Sequence, residues 1–229
     1  MGHGIRIAFN ALRRLSAHLR LPVAAAAFVC AGIASPAYAQ VTETVLHAFS
    51  GGADGGSVYG GLLLDATGAL SGTTGFGGNL SAALCPGVGC GTVFKLTPPA
   101  RGQTTWNLTT LWNFSGTDGD VPLVGALFAP DESPFPLYGT TNAGGASCVA
   151  FSSCGVVFKL TSSASGQTPW TETVLWTFTG SDGAQPIAGL IAEDRGALYG
   201  TTQFGGALNL CSGVGCGVAY KLSGTGFVP

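Results

Sequence analysis

The chain has 229 residues, 46% of them hydrophobic and only 9% charged, so its 38 glycines punctuate a packable core and do not mark disorder. Nine basic residues stand against eleven acidic ones, but Arg6, Arg13, Arg14 and Arg20 all precede residue 21. Residues 40–229 therefore keep five basic against eleven acidic residues, a formal charge of −6. That leaves no basic patch for nucleic acid or an anionic membrane surface, and neither is expected as a partner.

The first element reads as a leader over residues 1–39. Its arginines precede an uncharged apolar stretch, Leu21 to Ile33, and Ala37-Tyr38-Ala39 fits the small-x-small cleavage pattern ahead of Gln40. This predicts a secretory signal peptide and an exported protein, whether extracellular, periplasmic or at the cell surface. The apolar run falls short of the about 20 residues a spanning helix takes, so no transmembrane segment is expected. Arg13-Arg14 as a twin-arginine signal and Cys30 as a lipid anchor are weaker alternatives, since Phe28 and Val29 supply no small residue next to that cysteine.

The remainder, residues 40–229, says the same thing three times. An apolar run ending at Phe49 recurs at Phe114 and Phe178, in steps of 65 and 64 positions. Each copy then carries an Asp-Gly turn (Asp54, Asp118, Asp182), a Gly-Thr-Thr (Gly72, Gly139, Gly200), a close cysteine pair and an aromatic-Lys-Leu (Lys95, Lys159, Lys221). Such a period means stacked supersecondary units, here about 41–107, 108–171 and 172–229.

Within each repeat the pattern predicts four strands. The first is Thr44–Phe49, Thr109–Phe114 or Thr173–Phe178, β-branched and aromatic. The second is Gly60–Leu64, Leu123–Phe128 or Ile187–Ala192, and the third Leu70–Thr74, Leu137–Thr141 or Leu198–Thr202. The fourth is Thr92–Leu96, Val156–Leu160 or Val218–Leu222. The expected fold is all-β, with propeller-like blades in an open or incomplete β-propeller. Closed propellers have about four to eight blades, so three leave open sheet edges. A closed three-fold β-trefoil-like fold is the alternative.

Cys85 with Cys90, Cys148 with Cys154, and Cys211 with Cys216 give one local pair per repeat, which in an exported chain reads as three disulfides. The rival, a shared zinc, needs further ligands, and His47 is the one histidine after the leader and lies outside these loops. No metal and no cofactor are expected.

Leu-Tyr-Gly-Thr-Thr followed by Gly-Gly, Val-Phe-Lys-Leu-Thr (Val157–Thr161) and Val-Leu-Trp-Thr-Phe-Thr-Gly-Ser-Asp-Gly (Val174–Gly183) together resemble the bacterial GloVer tandem repeat of choice-of-anchor exported proteins. The resemblance covers nearly all of residues 41–222. It implies an exported β-repeat protein and carries over no catalytic residue. The chain departs from the pattern at Ser71, which stands for tyrosine, at Ala219 and Tyr220, and at the inserted Pro130–Pro136.

Candidate binding residues are Lys95, Lys159 and Lys221, as a cationic row or a solvated strand face, and Trp106 and Trp170, as an aromatic platform beside the turns. Trp112 and Trp176, at the position of His47, read as core, and the three Asp-Gly aspartates as turn chemistry. With no Gly-x-Ser-x-Gly elbow and a single histidine after the leader, a hydrolytic triad is disfavoured. The expected function is a surface or extracellular binding or structural module for an unidentified glycan or protein, with self-association through open sheet edges. The enzyme alternative is a glycosidase-like propeller using paired carboxylates.

Overall fold

The computed structural model describes residues 41–123, 127–128, 136–145, 153–162, 169–193 and 196–224, with backbone only at 127–128. The expected leader, Cys148 and all of the insertion but Pro136 lie outside them. The chain divides into two units, Met1–Glu43 and Thr44–Pro229, and every sheet belongs to the second.

The protein is all-β. Three antiparallel sheets follow one another along the chain. The first joins β1 (Leu63–Leu64), β2 (Leu70–Thr74), β3 (Thr92–Thr97) and β4 (Asn107–Asn113), in that order. The second joins β5 (Leu127–Phe128), β6 (Leu137–Thr141), β7 (Val156–Ser162) and β8 (Trp170–Thr177). The third has β9 (Ile191–Ala192), β10 (Leu198–Thr201) and β11 (Ala219–Leu222), with β10 in the middle. Among the described residues no barrel closes, and the one helical element is a 3₁₀ turn at Cys211–Gly213.

The repeated marks each do a physical job. A Cβ on Gly72, Gly139 or Gly200 would come under 3.0 Å from Phe94, Phe158 or Tyr220 respectively, so glycine lets the aromatic of the neighbouring strand lie across its backbone. The last threonine of Gly-Thr-Thr extends the ladder. Thr74, Thr141 and Thr202 accept the N–H of Thr92, Val156 and Val218 at 3.1, 3.2 and 3.1 Å, and donate to the carbonyls of Phe76, Ala143 and Phe204 at 2.8, 2.7 and 2.8 Å.

Sheets and sequence repeats are out of phase. The predicted first strand of the second repeat is β4, which pairs with β3 of the first repeat, Lys95 opposite Thr109 and Leu96 opposite Leu108. The third repeat's first strand, β8, pairs likewise with β7, Lys159 opposite Thr173 and Leu160 opposite Glu172. Thr44–Phe49 forms no strand, because no described residue supplies the ladder partner that β3 and β7 give its counterparts. The predicted second strands shorten to two residues each.

The core lies between consecutive sheets. Val93 and Leu111 of the first sheet, with Phe114, pack against Leu137, Phe158 and Leu160 of the second. Tyr138 and Val157 of the second, with Phe178, pack against Leu190 and Leu198 beside the third, with Tyr220 and Leu222 against them. The rings meet edge to face, Phe114 on Phe158 at 5.2 Å and Phe178 on Tyr220 at 5.1 Å.

Candidate functional site

The side chains that carry chemistry collect where the chain crosses from one sheet to the next. After β4 the chain turns through Ser115–Asp118, and the Asp118 carboxylate accepts the Ser115 N–H at 2.8 Å and the Trp112 indole N–H at 3.0 Å. After β8 the same turn recurs, with Asp182 accepting from Thr179 at 2.8 Å and Trp176 at 2.9 Å. Burial pushes the Asp182 carboxyl up, but the Thr179 and Trp176 donors hold it below its usual range. In the first repeat His47 takes the tryptophan's place, 3.3 Å from Asp54, whose carboxyl is held low chiefly by the Ser50 hydroxyl. The three aspartates thus anchor turns, as their Asp-Gly context predicts.

Beyond each turn the chain docks back on the preceding repeat. The Val121 N–H donates to the Cys90 carbonyl at 3.2 Å, and the Gln185 N–H to the Cys154 carbonyl at 2.9 Å. Both donors sit at positive φ, 53° and 55°, and so does their counterpart Ser57 at 56°. That strained geometry in non-glycine residues persists where surrounding contacts over-determine it. The acceptors are half-cystines. Cys85–Cys90 and Cys211–Cys216 are closed disulfides with Cα atoms 5.4 Å apart. Cys154 is also disulfide-bonded, and its expected partner Cys148 lies outside the described residues. Asp120 brings a carboxylate within 4.8 Å of the sulfurs of Cys85 and Cys90, yet sulfurs joined to each other offer no thiolate to a metal.

The lysines are engaged within their own sheets. Lys95 donates to Asp65 at 2.8 Å; against the upward push of burial, that ammonium, Thr67 and two backbone N–H groups bring Asp65 down to about 2. Lys159 lies 5.6 Å above the Tyr138 ring, and Lys221 lies 5.2 Å above Tyr199 and 3.5 Å from Glu193. Trp106 is partly buried just before β4, and Trp170 opens β8 with its ring against the core between the first two sheets.

Two groups that sequence reasoning passed over stand out. Glu172 on β8 is partly buried opposite Leu160, one of its oxygens has no hydrogen-bond partner, and burial first, then the negative charge of Asp118, pushes its carboxyl up to about 7. Aligning the repeats offered a signal for it, since Leu108 holds the same register position in β4. Tyr220 takes the place of Phe94 and Phe158; burial pushes its phenol up, and its hydroxyl is buried with no partner.

The third sheet ends at β11, and there a cavity of about 460 Å³ opens, lined by Leu175, Trp176, Phe178, Asp182, Tyr220 and Lys221, among others. In the first two sheets the corresponding edge is covered by β4 and β8. Trp176 is 44% exposed at this recess.

A family model described as Gloeobacter/Verrucomicrobia repeat matches residues 34–227. No curated protein and no solved structure matches the chain.

Proposed function

Because the chain belongs to the Gloeobacter/Verrucomicrobia repeat family, we propose that it is an exported β-repeat module that binds through the open edge of its third sheet. The observation that carries this reading is the recess of about 460 Å³ beside β11, which Leu175, Trp176, Phe178, Asp182, Tyr220 and Lys221 help to line. Such a mix of apolar walls and few polar groups suits a glycan or a protein segment. In this reading the three sheets are blades of a propeller-like arc, the first two each closed by the first strand of the next repeat, and residues 1–39 are a signal peptide. Local disulfides and the lack, among the described residues, of any helix long and apolar enough to cross a membrane accord with export. N-terminal sequencing of the exported protein should begin at or near Gln40, and retention of Arg13 and Arg14 would defeat the leader assignment. Pull-down on insoluble glycans, compared with Trp176→Ala, tests glycan binding; equal retention of both proteins, or of neither, defeats this face as a glycan site.

Glu172 favours a second reading. A carboxyl held protonated to about pH 7 close to the Asp118 charge is the asymmetry that acid-assisted glycoside hydrolysis uses. A panel of soluble polysaccharides scored for new reducing ends, with Glu172→Gln as control, decides it. Turnover lost in the variant supports the enzyme.

A further inference from the structure

We propose that the open third sheet is completed by a second copy of this chain, whose segment Thr44–Ser57 docks on β11. The inference rests on the binding reading only in using the same edge, and it names the occupant.

Both halves of a junction are present and unused. At the first crossing β4 lies on β3, Phe114 N–H donates to the Gly91 carbonyl at 3.0 Å, and Val121 N–H reaches Cys90. At the second, β8 lies on β7, Phe178 N–H donates to Gly155 at 3.1 Å, and Gln185 N–H reaches Cys154. The donors of a third crossing are Phe49 and Ser57, the corresponding acceptors Gly217 and Cys216. Among the described residues neither donor has a partner. Yet the donor segment is already shaped: His47 and Ser50 bond Asp54, Phe49 packs on Phe94 at 4.9 Å, and Ser57 holds the same strained φ as its counterparts. Strain at Ser57 with nothing to accept its N–H is a contact waiting for its other half.

The register follows from the two filled junctions. Val93 faces Trp112, Phe94 faces Thr110 and Lys95 faces Thr109, with the same order at Val157, Phe158 and Lys159. By equivalence Ala219 faces His47, Tyr220 faces Val45, and Lys221 faces Thr44. Val45 is 72% exposed, whereas its counterparts Thr110 and Val174 are partly buried at the filled junctions. In this register it faces Tyr220, which lines the recess.

Within one copy, Thr44–Phe49 and β11 are not paired. Two copies exchanging the segment reciprocally satisfy both junctions, leave no open ladder at either, and set six sheets in sequence, inside the range of closed propellers.

The test is a Thr44→Cys, Lys221→Cys double variant of the exported protein, both positions lying on the surface. Labelled and unlabelled copies are mixed, oxidised and mapped by mass spectrometry. Expected is a disulfide between residues 44 and 221 joining labelled to unlabelled chains, and a light-scattering mass twice that of one chain. Val45→Pro should weaken association roughly tenfold or more by breaking the ladder, while Val45→Thr, which copies β4, should keep it. A monomer at all concentrations, a 44–221 bond confined to single chains, or equal association of the Pro and Thr variants would overturn the proposal. A monomer that still loses glycan retention on Trp176→Ala would do so while leaving the binding reading intact.

Discussion

Replacing Glu172 by leucine should stabilise this protein, and only above a particular pH. The carboxyl is pushed from an ordinary 4.5 to about 7, first by burial and then by Asp118. Between those values the folded state holds a proton that the unfolded chain has released, so stability falls as pH rises through the window and stays low above it. Each pKa unit is worth about 1.4 kcal/mol, and because solvent still screens this half-buried carboxyl the cost of ionised Glu172 is about 1–2 kcal/mol. Leucine occupies the same register position in β4, at Leu108 opposite Leu96, so the fold already accommodates it there. At about 2–4 °C per kcal/mol for a chain of this size, Glu172→Leu should raise the melting temperature by about 2–8 °C at pH 8. Near pH 4.5, where the wild-type carboxyl is neutral, most of the gain should vanish. Thermal melts of both proteins at the two pH values measure the difference directly. A gain independent of pH, or no gain at pH 8, would refute the assignment of desolvated charge to this side chain.

Phe114→Ala and Phe178→Ala, both at fully buried positions, should each cost about 3–5 kcal/mol in denaturant unfolding, while Phe49→Ala, only partly buried, should cost visibly less. That ranking applies to single copies at low concentration; where a second copy covers the segment the Phe49→Ala loss should rise toward the other two, and equal losses in the monomer would mean that Phe49 is already sealed within one chain. Tyr220→Phe removes a buried hydroxyl without a partner and restores the residue found in the other repeats, so it should stabilise by about 1–2 kcal/mol; a loss would show that the hydroxyl is bonded in solution. Serine at both Cys85 and Cys90 should cost about 2 kcal/mol from loop entropy, and a much larger loss would mean the bridge does more than fix the carbonyl that Val121 uses.

What the sequence made legible was whatever repeats. Gly-Thr-Thr, Asp-Gly and aromatic-Lys-Leu recur because each solves a local problem: a close backbone approach at Gly139, a turn anchored on Asp118, a strand at Lys159 that pairs with β6 on one side and β8 on the other. Strand positions could be read from the recurring β-branched and aromatic runs for the same reason. The partner of each first strand could not, because pairing is a nonlocal choice and β-propensity at Thr109–Phe114 is the same whichever neighbour supplies the ladder. Glu172 escaped notice because a single acid in a β-rich stretch looks solvated until its neighbours are known. Ser57, Val121 and Gln185 share no residue type at all; only their common backbone twist links them.

The offset between repeat and sheet has a consequence for stability. If each repeat formed its own sheet, neighbouring repeats would meet only through side chains, and an end repeat would expose an apolar face. Here the first two sheets each borrow their outer strand from the following repeat, so backbone hydrogen bonds and buried packing, such as Val93 and Cys90 against the Phe114 and Phe158 rings, tie the same two repeats at once. Opening one junction must therefore break a ladder, a docked N–H and a buried ring together, which makes adjacent repeats cooperative. The same arrangement leaves a matched pair of ends, a strand segment with no ladder at Thr44–Phe49 and a ladder with no strand at Ala219–Leu222. Charged side chains blunt many natural sheet edges; beside this one, Trp176 is exposed and Lys221 lies over the Tyr199 ring. Of the β11 residues Lys221 alone is charged, and it is held by Glu193 and the Tyr199 ring, which leaves the exposed Trp176 beside the ladder as apolar surface for a second copy's strand to cover.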